Sequence, residues 1–464
     1  MKIFNLLVIV ILLASPFIGP ASSAHTDEGN ETVTFTKDVA PIFFKNCAEC
    51  HRAGEAAPFS VMSYKDVRPW AKSIREKVAN RSMPPWHADP QHGEFINDRR
   101  LTQQEIDKIL AWVDGGAKEG DARDLPPQPT FVEGWSIGKP DLVLSMPEEY
   151  TLDATGPDEY HYFAIETNFA EDRYLLAAEA RPGNRKIVHH ILAFIQPPQA
   201  GSQNGSVFAK GGEESIIHSD GGLQRVKEDA PVHNDGCQLP NGGGGSAPDG
   251  RTRDRLMPVL AVFAPGGDAD RWEDDAVMRI PAGAKIILQI HYSKVAGSVQ
   301  KDRSSVGFIF AKKPHTKLRS TDIVANLYIQ IPAGQERHKS TACRTFGDRD
   351  VELSAIRPHM HLRGAAMEVK AVYPDGRTEV LLNVPKYEFS WQEVYRLRDR
   401  KVIPRGTTIQ ITGYFDNSSK NKYNPDPTRA VRWGEPTYDE MLSCFLEYTY
   451  SESRSMAPPK TETR

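Results

Sequence analysis

The chain has 464 residues, 39% hydrophobic and 25% charged, which fits a globular protein of about three domains and excludes a disordered or collagen-like one. Lys+Arg 57 against Asp+Glu 61 leaves a net charge of −4, so no basic surplus points to a nucleic-acid partner. Five cysteines are too few for a disulfide-dense scaffold, and 34 Pro with 35 Gly argue against long helical bundles.

Residues 1–24 read as a secretory signal. Lys2 supplies the positive start, Leu6 to Ala14 is unbroken apolar chain, and Ser22-Ser23-Ala24 suits cleavage. The alternative is a retained anchor, but the apolar run from Ile3 to Ile18 falls short of the roughly 20 residues a spanning helix needs. Cleavage removes one Lys, giving 56 − 61 = −5, and leaves His25 as an N-terminal residue able to chelate copper. The expectation is an exported protein, periplasmic or secreted, with no stable membrane span after cleavage, in a compartment where disulfides persist.

The next unit is expected over 25–120, with folded chain from about Val33 to Gly120. Thr102-Gln-Gln-Glu105 is a capping box, Ile106, Ile109, Leu110 and Val113 follow at helical spacing, and Gly115-Gly116 supplies the stop. Residues 121–140 form a linker, stiffened by Pro126, Pro127 and Pro129. From Asp141 the texture becomes β-like. Leu142–Leu144, Tyr162–Ile165, Lys285–His291, Ala325–Ile331, Ala366–Val372 and Thr408–Thr412 alternate or run apolar. Turns at Pro281-Ala-Gly283, Pro332-Ala-Gly334, Pro374-Asp-Gly376 and Pro404-Arg-Gly406 separate such runs, as in antiparallel sandwiches. Residues 197–255, with Asn241-Gly-Gly-Gly-Gly-Ser246, read as a flexible insertion, and 453–464 as a polar disordered tail.

Cys47-Ala-Glu-Cys50-His51 is the attachment pattern of a covalent c-type haem. Two thiols bond the porphyrin vinyl groups, and the adjacent His51 takes one axial position on iron. Met83 is the preferred second axial ligand, because thioether with imidazole raises the reduction potential; His87, His92 and Met62 are the rivals. A zinc knuckle lacks a second Cys/His pair nearby, and a thioredoxin-like dithiol lacks its βαβ surroundings. The segment resembles a small all-α class I cytochrome c domain.

Three histidine patterns remain: His189-His190, Gln289-Ile-His291-Tyr292 and His359-Met-His361. A strand sets His359 and His361 on one face, about 7 Å apart at Cα. His189 and His190 diverge on a regular strand, so joint ligation there needs a bulge or twist. Histidine pairs without carboxylate companions suit copper, zinc or nickel better than magnesium or calcium.

Residues 141–450 resemble the copper type II, ascorbate-dependent monooxygenases, the family of peptidylglycine alpha-hydroxylating and dopamine beta-monooxygenases. The family's His-His motif is matched at His189-His190 and its Gln-x-His-Tyr motif at Gln289–Tyr292. Its His-x-His motif is matched at His359–His361, and its Asp-Glu-Met motif at Asp439-Glu440-Met441. The resemblance implies two all-β jelly-roll sandwiches, 141–313 and 314–452, each with one copper. His189, His190 and His291 would hold an electron-transfer copper, and His359, His361 and Met441 the catalytic copper, where O2 binds. Arg357 and Gln289 are candidate substrate-binding residues. The peptide-amidating branch has an Asn and a Tyr after its Met where this chain has Ser443 and Phe445, which argues against a glycine-extended peptide. Of the cysteines outside the haem motif, Cys343 with Cys444 is the expected disulfide, both lying in the second sandwich.

The expected function is an exported hydroxylase acting on a C–H bond of a small organic or peptide substrate. It would carry two copper ions and one haem c, the haem relaying electrons from ascorbate or a redox protein one at a time to the His189/His190/His291 copper and onward to the catalytic copper. Two alternatives differ in kind: the same hydroxylase reduced directly, with the haem as a sensor, and a non-catalytic electron-transfer or copper-binding protein.

Overall fold

The computed structural model describes residues 32–198, 232–238 and 258–451, apart from 56, 133, 157, 265–269, 272–275, 295–297, 313–314, 316, 348 and 435. The expected signal at 1–24, His25, the tail at 453–464, most of the 197–255 insertion and the sandwich boundary at Lys313 lie outside the described residues. Among the described residues no helix is long and apolar enough to cross a membrane. The fold is mostly β-sheet with few helices, consistent with β-sandwiches.

The first unit is helical. Phe35–Val39 and Ala40–Asn46 form one run that ends at Cys47, and Tyr64–Val67, Ala71–Ala79 and Gln103–Asp114 complete it. The capping box forms as its chemistry requires: Thr102 Oγ1 accepts from Glu105 N at 3.2 Å, and Glu105 Oε2 accepts from Thr102 N at 2.8 Å. Gly116, at φ +92°, ends the helix. Its buried stripe is Ile106, Ile109 and Trp112. Trp112, absent from the periodicity argument, centres the core and stacks edge-on against Phe43, while Leu110 and Val113 are only half-buried.

The remainder is two sandwiches joined through one large sheet. Its strands run, in spatial order, Leu142–Ser145, Ser305–Phe310, Arg173–Arg181, Ala276–Ile280, Lys317–Ala325, Ser443–Ser451, Val351–His359 and Tyr395–Ile403. The join is the short parallel pairing of Lys317 with Ala276 and Leu318 with Val277. A four-stranded sheet, Glu159–Glu166, Lys285–Tyr292, Val188–Gln196 and Val259–Phe263, covers the first half. A second, His338–Thr345, Thr408–Phe415, Gly364–Val372 and Thr378–Val384, covers the other. The Pro-x-Gly turns form at all four positions, with Gly283, Gly334, Gly376 and Gly406 at φ +69° to +89°, where a side chain is strained.

Period-two alternation decides which residues meet between the sandwiches. Along Val188–Gln196, Ile191, Ala193 and Ile195 enter the first core, while Phe194 packs outward with Phe445 and Ile323 of the second sandwich. Along Lys285–Tyr292, Ile286, Leu288 and Ile290 are core and Ile287 joins the outward cluster. Cys444 and Leu446 fill the second core, and Phe445 between them faces the first sandwich. Every histidine motif lies on these facing surfaces.

Four expectations are corrected. The run Ala325–Ile331 is not one strand: Lys317–Ala325 ends where it begins, and Gln330–Ile331 is a separate short strand. Asn326 breaks it, its buried amide bonding His233 O at 2.7 Å and Thr341 O at 3.0 Å while Oδ1 caps Tyr328 N. The disulfide is Cys237–Cys343, not Cys343–Cys444. Cys444 is a free thiol near the start of a strand paired on both sides, buried in the second core, whereas Cys343 borders the 232–238 segment. That segment, expected to be flexible, pairs Asp235 with Thr341 and is held by Cys237. The 121–140 linker is not wholly a spacer either: Ile137 is buried and donates its N–H to Glu179, and Trp135 sits against Gly307.

The helical unit is docked onto the second sandwich. Phe95 bridges Leu397, Ile96 N donates to Arg396 O at 2.9 Å, and Arg398 N donates to Glu94 O at 2.8 Å, extending the large sheet at its edge strand. Trp86 and Phe95 pack on Tyr395 with ring centroids 5.0 and 5.4 Å away, inside the second core.

Candidate functional site

His189, His190 and His291 converge, with one ring nitrogen of each within 4.8 Å of the others. The adjacent histidines meet because the strand bulges there. Val188 pairs with Tyr292 and His190 with His291, so His189 is the extra residue and turns to its neighbour's side. His189 Nδ1 lies 3.4 Å from His190 Nδ1. His291 Nε2 bonds the Asp158 carboxylate at 2.9 Å, and its Nδ1 is buried without a hydrogen-bond partner. A carboxylate on the far nitrogen is the usual orienting device of a metal-bound imidazole. Burial, before the neighbouring histidines, pushes His189 down to about 4 and His190 well below the free imidazole value. Both are therefore neutral, the form in which a histidine can ligate.

His359 and His361 form the second pair, with ring centroids 5.2 Å apart. Strand geometry is not what joins them, because the strand ends at His359 and His361 lies in the following turn. Glu440 holds that turn: its buried carboxylate accepts from the backbone N–H of His361, Arg363 and Met441, the last two at 2.9 Å. Burial lifts this carboxyl to about 7 against those donors and the Arg363 guanidinium. Tyr387 Oη donates to Met360 O at 2.9 Å and accepts from Met360 N at 3.1 Å, fixing the residue between the histidines. His359 Nδ1 donates to Gln392 Oε1 at 2.9 Å and His361 Nδ1 to Asp439 O at 3.3 Å, so both Nε2 atoms are left for a ligand. Burial brings His359 to about 4 and His361 well below its free value.

One cavity of about 150 Å³ lies between the sandwiches and is lined by His190, Gln289, His359, His361 and Met441. Leu192, Phe194, Ile323 and Phe445 make much of the remaining wall. Gln289 donates from Nε2 to Tyr162 Oη. Arg357 does not line this cavity; it is buried against Glu447 at 3.6 Å, and Glu447 also pairs with Arg319. Phe389 stands between the two histidine groups, stacked on His189 at 6.0 Å and edge-on to His361 at 5.9 Å.

A second cavity, of about 470 Å³, is lined by Cys47, Cys50, His51 and Met83 with Pro58, Pro84 and Trp391. The volume is that of a cofactor pocket. Cys47 and Cys50 are free thiols, pushed up by burial, Cys47 to about 12. His51 donates from Nδ1 to Phe59 O at 3.1 Å, which leaves Nε2 to ligate a metal. These residues fit a covalently attached haem. Met83 borders this cavity, whereas Met62, His87 and His92 do not.

Sequence reasoning missed Asp158, Gln392, Phe389 and the role of Glu440. Asp158 and Gln392 reach their histidines across 133 and 33 residues, and no local pattern announces such partners. Glu440 was visible as the middle of Asp439-Glu440-Met441, but its task is a backbone one.

Residues 323–458 match the family described as copper type II ascorbate-dependent monooxygenase, C-terminal domain. The matched span carries His359, His361 and Met441, so this part of the chain is similar to a domain of copper-dependent oxidoreductases that use O2 and ascorbate. No curated protein matches the chain. Among solved structures, the major capsid protein P2 from bacteriophage PM2 is 10% identical, with 68% of this chain and 98% of that chain covered and a TM-score of 0.23. Allantoicase is 12% identical, with 56% and 76% covered and a TM-score of 0.15. The infectious bursal disease virus VP2 subviral particle is 10% identical, with 68% and 74% covered and a TM-score of 0.18. Likenesses this remote carry no argument.

Proposed function

We propose that the protein is an exported copper-dependent monooxygenase that hydroxylates a C–H bond with O2, its electrons entering through a haem held by the helical unit. The observation that carries this is the pair of pre-formed histidine groups that meet at one largely apolar cavity, the first through His190 and the second through His359 and His361. Copper at these sites would supply O2 activation and one-electron storage, and a c-type haem one-electron transfer.

His189, His190 and His291 would hold the electron-transfer copper, with Asp158 orienting His291. His359 and His361 would hold the catalytic copper through Nε2, and Met441 adds a soft, neutral thioether that favours the cuprous state. Cys47 and Cys50 would hold the haem covalently, and His51 and Met83 would supply imidazole and thioether to its iron. Leu192, Phe194, Ile323 and Phe445 exclude water and accept an apolar substrate, and Gln289 offers it a polar contact. Arg357, ion-paired with Glu447, is a poor partner for a substrate carboxylate, so a small organic molecule fits better than a peptide terminus.

The test is incorporation of labelled dioxygen into product with a small reductant and with a protein donor. Met441→His should abolish product under both regimes. Met83→Ala should slow turnover with the protein donor and leave it nearly unchanged with the small reductant. Full activity in Met441→His would overturn the assignment of Met441 to the oxygen-binding copper, and no labelled oxygen in any product of the copper-loaded wild type would overturn the monooxygenase reading in favour of an electron-transfer protein.

A further inference from the structure

We propose that the segment 385–394 is the electron entry route, with Trp391, at the wall of the Cys47–His51 cavity, and Gln392 forming the tunnelling bridge to His359 without themselves being reduced. Reducing equivalents would then reach the His359–His361–Met441 site first, rather than the His189–His190–His291 site. This rests on the reading of a haem and two coppers given above.

Three residues, Asn97, Arg99 and Trp391, line both the Cys47–His51 cavity and a small neighbouring cavity onto which His189, His190 and Gln392 open. Of the three, Trp391 alone has an extended π system. From it the bonded path is short: one peptide unit to Gln392, then the 2.9 Å hydrogen bond between Gln392 Oε1 and His359 Nδ1. Among the described residues no comparable bonded path leads to His189, which meets this segment through the ring stacking of Phe389 at a centroid distance of 6.0 Å. Electron tunnelling couples better through covalent and hydrogen bonds than across such gaps.

The segment is also held still, which limits the rearrangement an electron transfer must drive. Tyr387 is clamped to Met360 through Oη, Trp391 N donates to Glu388 O at 3.0 Å, and Asn97 Nδ2 donates to Val394 O at 2.7 Å. Asn97 belongs to the helical unit's docked edge, so the same contact that fixes the segment also fixes the wall of the Cys47–His51 cavity. The step is a single electron: iron bound at His51 goes from ferrous to ferric, and copper bound at His359 goes from cupric to cuprous. No bond forms or breaks and no proton moves; an external redox protein or small reductant replaces the electron on iron.

The experiment uses holoprotein with haem reduced and copper oxidised, mixed without O2, and follows haem absorbance together with the cupric resonance signal. Wild type should show fast, concentration-independent haem oxidation. His291→Ala, lacking the first copper, should keep that phase, and His361→Ala, lacking the second, should lose it. Trp391→Leu should slow it many-fold at unchanged haem and copper content, with Trp391→Phe restoring much of the rate. Gln392→Leu should slow it too, and serves should Trp391→Leu fail to retain haem. Unchanged kinetics in Trp391→Leu or Gln392→Leu, or a fast phase lost in His291→Ala and kept in His361→Ala, would overturn the route. Protein that matures without covalent haem or copper would instead overturn the underlying reading, and the route with it.

Discussion

Each histidine group leans on one carboxylate, and the two carboxylates work differently. Asp158 orients a ring, through His291 Nε2; Glu440 orients a backbone, through three N–H groups around His361 and Met441. Asp158→Ala should weaken copper at the first site by roughly 10–100-fold and leave the second untouched. Glu440→Leu strands three buried donors, each costing about 1–3 kcal/mol, and should lose copper at the second site and lower Tm. Chelator competition on the two variants checks this; loss of the same copper in both would contradict it. The buried imidazoles also set a pH response. His189 and His359 sit at about 4 in the folded chain against 6.5 when free. Between those values the unfolded chain binds protons that the folded chain refuses, so stability is full above about 6.5 and falls as pH drops toward about 4. The Tm of metal-free protein should decline across that window, and a His189→Gln/His359→Gln variant should lessen the decline, His190 and His361 keeping the rest. A flat wild-type profile would argue against the burial described.

At the scale of elements, the bulge at His189 does what a regular strand cannot, bringing adjacent histidines to one side. The motif His189-His190 was legible in the sequence, and so was the need for a bulge; the bulge itself depends on pairing with a strand about 100 residues away. The reverse holds at His359 and His361, where strand alternation suggested the right pairing for a reason the chain does not use. The four Pro-x-Gly turns and the Thr102 capping box were legible because their causes are local. The disulfide was not, since Cys237 lies in a stretch whose composition reads as loose chain. Peptide mapping should find Cys237 linked to Cys343 and Cys444 free. Closing a loop of 106 residues, the bond should contribute about 2–5 kcal/mol, so Cys237→Ser should lower the free energy of unfolding by that much. A Cys343–Cys444 peptide would contradict the fold at that point.

Across the whole molecule, the helical unit is built into the second sandwich. Trp86 and Phe95 fill that core, and the 94–97 edge extends its sheet, which brings the Cys47–His51 cavity against Trp391 and so near both histidine groups. Sequence alone set the helical and β regions apart, but a contact made by the 86–97 segment across 300 residues leaves no periodic trace. Trp86→Ala should cost about 3–5 kcal/mol and open the junction to limited proteolysis while both histidine groups still bind copper. Undiminished stability would place the docking contacts outside the core. The central claim is that two separate, pre-formed sites face one cavity, and copper per chain tests it most directly. Wild-type protein should carry two copper ions and His359→Ala one, still held by His189, His190 and His291. Equal copper in the two proteins, with the variant folded by circular dichroism, would contradict the account.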